Sequence, residues 1–201
     1  MKKTLVIHPA DPSTDFLKII YQNRGFTEET QNFNPNHLKQ LIQNHDRIVM
    51  LGHGYHHGLL NFMQPIIDET FVPLLEQKEL VGIWCFAKAF FDHHGLSGFH
   101  TDMFISETTE AFMMGVNDTL QSIEQSNVVF AKAVRSNLFH PDCLNRVKIT
   151  YNKLDTSVSK YNGKRFHFRK DQDPKIKCEL NNLNEYLMNI GSLCSIIPQK
   201  K

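Results

Sequence analysis

The fold is decided at residues 47–54, where the sequence is Arg-Ile-Val-Met-Leu-Gly-His-Gly. Its apolar run is too short for a helix, does not alternate with polar residues, and ends at Gly52. A run of this kind is typical of a parallel strand buried on both faces. Residues 80–85, Leu-Val-Gly-Ile-Trp-Cys, have the same pattern and close with Cys85. The two stretches therefore predict two central strands of one parallel sheet.

Further strands and helices are predicted on both sides of this pair. Residues 4–8 and 101–106 are short apolar strand candidates. Helical patterns lie between the strands, one of them opened by Pro65 and running to about Lys78. Alternating strands and helices favour a sheet covered by helices on both faces. The predicted fold class is therefore α/β, a three-layer α/β/α sandwich with a mostly parallel sheet.

The second half of the chain is predicted to be mainly helical. A long helix runs from a cap at Asn117 to about Leu138, and another helix is expected at residues 180–190. Asn162-Gly163, flanked by short apolar-polar runs, predicts a two-residue turn in a hairpin or an edge pair of strands. We expect a single domain over residues 1–201, with 155–201 as a candidate C-terminal appendage.

Composition excludes several classes of function. Of the 201 residues, 41% are hydrophobic and 21% charged, with a formal net charge of +1. This balance provides no field that would attract nucleic acid or an anionic membrane. No apolar run has membrane-spanning length, and residues 1–9 lack the apolar region of a secretory signal. The four cysteines form no C-x-x-C pair, so we expect reduced thiols in a cytoplasmic protein.

Chemistry is expected where the strands end, because parallel sheets bind ligands beyond their carboxyl edge. His53 and Gly54 follow one central strand, and Cys85 follows the next. A thiol attacks a carbonyl as thiolate, which requires a base such as histidine and N–H donors for the oxyanion. His53, Gly54 and Cys85 are therefore the catalytic candidates.

These two strand ends resemble the caspase-like cysteine peptidases, including the CHAT and gingipain branches. In that family, His-Gly follows one apolar strand and Cys follows the next. The resemblance covers roughly residues 1–110, although the spacing of His53 and Cys85 is shorter than the caspase spacing of about fifty residues. It implies a caspase-like fold and hydrolysis of a peptide bond in a peptide or protein substrate, with Cys85 as nucleophile and His53 as base. No metal or organic cofactor is required for this chemistry.

Acidic residues near the same edge suggest a substrate preference. Asp11 follows the first strand, and Asp102 and Glu107 lie in or just after the third. Carboxylates near one pocket favour a basic partner. For a peptidase this predicts cleavage after Lys or Arg.

Two alternatives remain open at this stage. Trp84 and Phe86 flank the cysteine with bulky side chains, which favours a catalytically inactive interaction module of the same fold. The other alternative is a small-molecule-binding α/β protein, in which the histidine-rich loop binds an anion or a metal. The histidines lack metal-site spacing and nucleotide-binding motifs are absent, so neither a metal nor a nucleotide is expected. The sequence indicates no oligomeric state.

Overall fold

A six-stranded sheet forms the centre of the computed structural model, which describes residues 2–170. The strands are β1 (Thr4–Ile7), β2 (Thr27–Glu29), β3 (Arg47–Leu51), β4 (Gly54–Tyr55), β5 (Gly58–Asn61), β6 (Gln64–Ile67), β7 (Glu79–Ile83), β8 (Gly98–Thr101) and β9 (Phe166–Arg169). The helices are α1 (Lys18–Tyr21), α2 (Pro35–Gln43), α3 (Val72–Leu75), α4 (Ala87–His94), α5 (Thr108–Met113), α6 (Leu120–Asn137), α7 (Cys143–Tyr151) and α8 (Ser157–Asn162). Short 3₁₀ turns cover Pro12–Leu17, Glu69–Phe71 and Gly163–Arg165.

The central sheet has the order β2-β1-β3-β7-β8-β9. The first five strands are parallel, and β9 pairs antiparallel with β8 at the edge. Counted along the chain, the parallel strands have the order 2-1-3-4-5, which is the flavodoxin-like order of doubly wound sheets. The predicted α/β class with a mostly parallel sheet is confirmed.

Both faces of the sheet are covered, which makes the fold a three-layer sandwich. Val6, Val49 and Val81 pack on one face with residues of α1, α6 and α7. Their neighbours along the same strands, including Leu5 and Ile48, pack on the other face with residues of α2, α3 and α4. Since every side chain of β3 from Ile48 to Leu51 is buried, the strand has no polar face and its sequence does not alternate.

The segment after β3 differs from the predicted helix at residues 65–78. It contains β6, a 3₁₀ turn and the four-residue helix α3. β4, β5 and β6 form a small antiparallel sheet, in which Pro65 lies opposite Leu60. Proline lacks an N–H, and it is tolerated here because β6 is an edge strand of this small sheet.

Asn162-Gly163 does not form the predicted hairpin turn. Asn162 ends α8, and its buried amide donates to the carbonyl of Ile105 and accepts from the N–H of the same residue, both at 2.9 Å. Since residues 157–162 are helical, no strand precedes the turn, and β9 pairs with β8 instead. β8 itself ends at Thr101, before most of the predicted strand 101–106.

The predicted helix at 180–190 lies outside the described residues, and the single domain over 1–201 stays a prediction. Residues 166–169 of the candidate appendage belong to the central sheet as β9. Within residues 2–170, no helix combines the length and apolar character needed to cross a membrane.

Candidate functional site

A pocket lies at the carboxyl edge of the central sheet, where the ends of β3 and β7 meet. β3 and β7 are neighbours, with Leu51 opposite Ile83, so the residues that follow them reach the same edge. The cavity of this carboxyl-edge pocket has a volume of about 20 Å³, which is room for a group about the size of a water molecule, and it opens to solvent. It is lined by Thr14, Phe16, Leu17, Gly52, His53, Ile83, Trp84, Cys85, Thr101, Phe104, Ser106 and Glu110.

His53 is held by the loop that follows β1. Its Nε2 lies 2.7 Å from the hydroxyl of Ser13, and this hydroxyl donates to Asp11 Oδ1 at 2.6 Å. The other oxygen of Asp11 is 3.7 Å from the same ring nitrogen. The side-chain and backbone hydrogen bonds from Ser13 hold the pKa of the Asp11 carboxyl below its usual value. The loop therefore places an ionised carboxylate and a hydroxyl beside the imidazole.

His8 supports this loop from beneath. It is buried, with Nδ1 2.9 Å from the hydroxyl of Tyr21 and Nε2 3.1 Å from the hydroxyl of Thr14. Burial lowers the pKa of His8 to about 4, with a smaller contribution from the charge of Lys18. The imidazole is therefore neutral at physiological pH and serves to fix the start of the 3₁₀ turn.

Cys85 lies in the pocket with a thiol that stays protonated. Its sulfur is 3.9 Å from the carbonyl oxygen of Phe104 and 3.9 Å from Glu110 Oε1. Burial and the charge of Glu110 raise the pKa of the Cys85 thiol to about 12. A nucleophilic cysteine requires the opposite shift. His53 lines the same pocket, but its Nε2 hydrogen bond is made to Ser13.

Glu110 is the carboxylate that lines the pocket, and the sequence prediction did not select it. Its Oε2 accepts from the N–H of Ser106 at 2.7 Å, the hydroxyl of Ser106 at 3.0 Å and the N–H of Glu107 at 3.2 Å. The other oxygen of Glu110, Oε1, has the Cys85 thiol as its neighbour, at 3.9 Å. A glutamate three residues after a helix cap is the local signal for such an arrangement.

Asp102, Glu107 and Gly54, the other predicted site residues, make local contacts outside the pocket lining. Asp102 accepts from the N–H of Met103 at 2.9 Å, and Glu107 is the N-cap residue of α5. Neither lines the carboxyl-edge pocket. A Cβ added to Gly54 would lie 2.1 Å from Cδ1 of Trp84, so packing alone requires glycine there. Phe86 follows Cys85 but is 43% exposed and lies outside the pocket lining.

Four of the other histidines border a second pocket between the small sheet and α4. This outer pocket is lined by Tyr55, His56, His57, Pro65, Asp68, Glu69, Ala89, His93 and His94. The His56 and His57 ring centroids are 4.0 Å apart. Across residues 2–170, no group of three or more His, Cys, Asp or Glu side chains is arranged to hold a metal ion.

Flavodoxins, which share this strand order, bind FMN at the point where the order reverses, and that point lies here between β1 and β3. A phosphate there requires free N–H groups and a positive field. The loop after β1 contains Pro9 and Pro12, which have no N–H, and the N–H of Ser13 already donates to Asp11. The Asp11 carboxylate would also repel a phosphate. This loop does not fit a flavin phosphate.

Comparison with known proteins gives structural similarity alone. No family model matches the chain, and no curated protein matches its sequence. One similar solved structure is the Trp repressor binding protein from Bacillus subtilis, with 11% identity over 69% of this chain and 98% of that chain, and a TM-score of 0.40. Another is a protein (NADPH-quinone reductase) from P. pentosaceus, with 15% identity over 81% of this chain and 98% of that chain, and a TM-score of 0.30.

The caspase-like prediction is corrected by the chemistry of the site. The protonated Cys85 and the engaged His53 lack the arrangement of a thiolate with its base. Peptide hydrolysis, the peptide substrate and the predicted cleavage after Lys or Arg are withdrawn with it.

Proposed function

We propose that this chain is a small-molecule-binding α/β protein whose carboxyl-edge pocket binds a small protonated amine. The observation that carries the proposal is Glu110, a carboxylate in the pocket whose Oε2 accepts three hydrogen bonds and whose Oε1, among residues 2–170, is near only a neutral thiol. A partly buried carboxylate is stabilised by a cationic hydrogen-bond donor. An ammonium group supplies both the charge and the N–H.

The charge of the pocket favours a cation over an anion. Within residues 2–170, its lining includes Glu110 and no lysine or arginine. Asp102 lies close enough to Cys85 for its charge to contribute to the raised pKa of that thiol. Asp11 is ionised beside His53 at the same edge. A ligand carrying a carboxylate or a phosphate would meet these charges without a compensating cation.

Aromatic side chains supply the rest of the binding surface. Phe16, Trp84 and Phe104 line the pocket, and the rings of Phe16 and Phe104 stack with centroids 6.3 Å apart. Aromatic faces attract ammonium groups, most strongly where water is excluded. The combination of one carboxylate with aromatic walls suits the charged end of an alkylamine.

Reduced thiols support a cytoplasmic location for this function. Cys85 and Cys143 are both free, and neither is fully exposed. A protein that retains free thiols is best suited to a reducing compartment.

Trp84 provides a direct assay, because it is the single tryptophan of the chain and lines the pocket. Methylammonium chloride, titrated at constant ionic strength, should change Trp84 fluorescence in a saturable way. Glu110→Gln should weaken this binding at least tenfold, since it removes a charged hydrogen bond. The control Glu124→Gln removes the same charge from an exposed position on α6 and should leave the affinity unchanged.

The opposite set of results would reject the proposal. Saturable binding of acetate, inorganic phosphate or FMN, with none of methylammonium, would show that the pocket is built for an anion. Equal affinity of Glu110→Gln and the native chain for methylammonium would place the amine elsewhere. FMN binding would favour instead an oxidoreductase role of the kind named for the quinone reductase neighbour.

A further inference from the structure

The contact between His53, Ser13 and Asp11 fixes where the protons lie. Ser13 has one hydroxyl proton and two partners, Asp11 Oδ1 at 2.6 Å and His53 Nε2 at 2.7 Å. An ionised carboxylate has no proton to give, so the hydroxyl must donate to Asp11. The hydroxyl oxygen then accepts from His53, and that requires a proton on Nε2.

A neutral imidazole with its proton on Nε2 has a lone pair on Nδ1. The imidazole ring of His53 makes no other hydrogen bond to a residue within 2–170. Its ring lines the carboxyl-edge pocket, whereas Ser13 and Asp11 do not. The nitrogen that remains for a ligand in this pocket is therefore Nδ1, and it is an acceptor.

We infer that the Asp11–Ser13 pair holds His53 in the Nε2–H form, so that Nδ1 accepts a hydrogen bond from the bound ligand. This inference rests on the proposed amine site and adds a specificity rule to it. The ligand must keep at least one N–H after Glu110 has been satisfied. Primary and secondary amines meet this rule, and quaternary ammonium compounds do not. Asp11 and Ser13 are positioning residues, since they act through His53.

The tautomer can be measured without any ligand, by long-range ¹H–¹⁵N correlation spectra of the ¹⁵N-labelled full chain at pH 8. Free imidazole side chains also favour the Nε2–H form, so the decisive comparison is between variants. In Asp11→Ala the Ser13 hydroxyl loses its acceptor and can donate to Nε2, which should move the tautomer ratio towards Nδ1–H by about tenfold. Ser13→Ala should shift the ratio less, towards that of a free imidazole.

The matched control is Asp15→Ala, which removes an exposed carboxylate paired with Lys18 in the same turn. It should leave the His53 tautomer as in the native chain. A native His53 in the Nδ1–H form would overturn the inference. An unchanged tautomer ratio in both Asp11→Ala and Ser13→Ala would overturn it as well.

The specificity rule for the ligand is tested by Trp84 fluorescence with two probes. Methylammonium should bind about tenfold more tightly than tetramethylammonium, and His53→Phe, which keeps a ring without nitrogen, should reduce that preference. Equal binding of the two probes contradicts the specificity rule but leaves the amine site intact. A preference that survives in His53→Phe would assign it to size, against the rule. Failure of both probes to bind rejects the proposed function together with the rule.

Discussion

Gly54→Ala tests whether Trp84 occupies the position that shapes the pocket. A Cβ at residue 54 would lie 2.1 Å from Cδ1 and 2.6 Å from Cγ of Trp84, and 2.7 Å from the carbonyl oxygen of Gly58. Trp84 cannot retreat easily, since it is 2% exposed, lies 5.9 Å from Phe90 by ring centroid, and donates through Nε1 to the carbonyl of Tyr55. Overpacking of this kind costs about 3 kcal/mol. For a chain of this size that is a loss of roughly 10 °C in Tm.

Urea unfolding followed by Trp84 fluorescence and by far-ultraviolet circular dichroism measures this loss. The matched control is Gly163→Ala, whose Cβ would approach Oδ1 of Asn152 at 2.7 Å. Asn152 is exposed and can swing away, so this variant should stay within about 1 kcal/mol of the native chain. A Gly54→Ala chain as stable as the native one would refute the packing of Trp84 against β4.

Two further predictions follow from the buried titratable groups. Cys85 should react slowly with iodoacetamide at pH 7, because burial and the charge of Glu110 raise the pKa of its thiol to about 12. Glu110→Gln removes that charge and should accelerate the reaction. Rapid labelling of Cys85 in the native chain at pH 7 would contradict this prediction. Burial lowers the pKa of His8 and of His100 to about 4, below the value of 6.5 for an unfolded histidine, so the unfolded chain binds more protons. The contribution of each neutral imidazole to the free energy of unfolding is therefore fully present above pH 6.5 and is lost as the pH falls towards 4. The loss amounts to about 3 kcal/mol for each histidine. Urea midpoints across this range should fall in the native chain and fall less in His8→Gln, whereas equal slopes would show that His8 is not buried in its neutral form.

The central strands could be predicted because strands buried on both faces consist of consecutive apolar residues. β3 and β7 are apolar on both faces, so both strands follow from the sequence, β3 with its observed bounds and β7 with shifted ends, and with them the shared edge of His53 and Cys85. The small sheet was missed because β4 has two residues, and because Pro65 also suits the first turn of a helix. The role of Asn162 depends on Ile105, far along the chain, and has no local signal.

The meeting of His53 and Cys85 at one edge of the sheet could be predicted for a similar reason. His53 and Cys85 stand at strand ends in any parallel sheet that contains these motifs, whatever the chemistry. Whether the thiol ionises depends on burial and on Glu110, which lies in a helix 25 residues later in the chain. In the sequence, Glu110 looks like an ordinary solvated residue of the first turn of that helix. Ser13 meets His53 across 40 residues, so its effect on the imidazole also requires the structure.

The most direct test of an amine site at Glu110 is an amide ¹H–¹⁵N spectrum recorded during a methylammonium titration. The N–H groups of Ser106 and Glu107 donate to Glu110 Oε2, so a cation at Oε1 should change their shifts most, in a saturable manner. The amide chemical shifts of residues in the outer pocket, such as His57 and His94, should stay unchanged. Saturable shifts centred on the outer pocket, or none at Ser106 and Glu107, would contradict the proposed function.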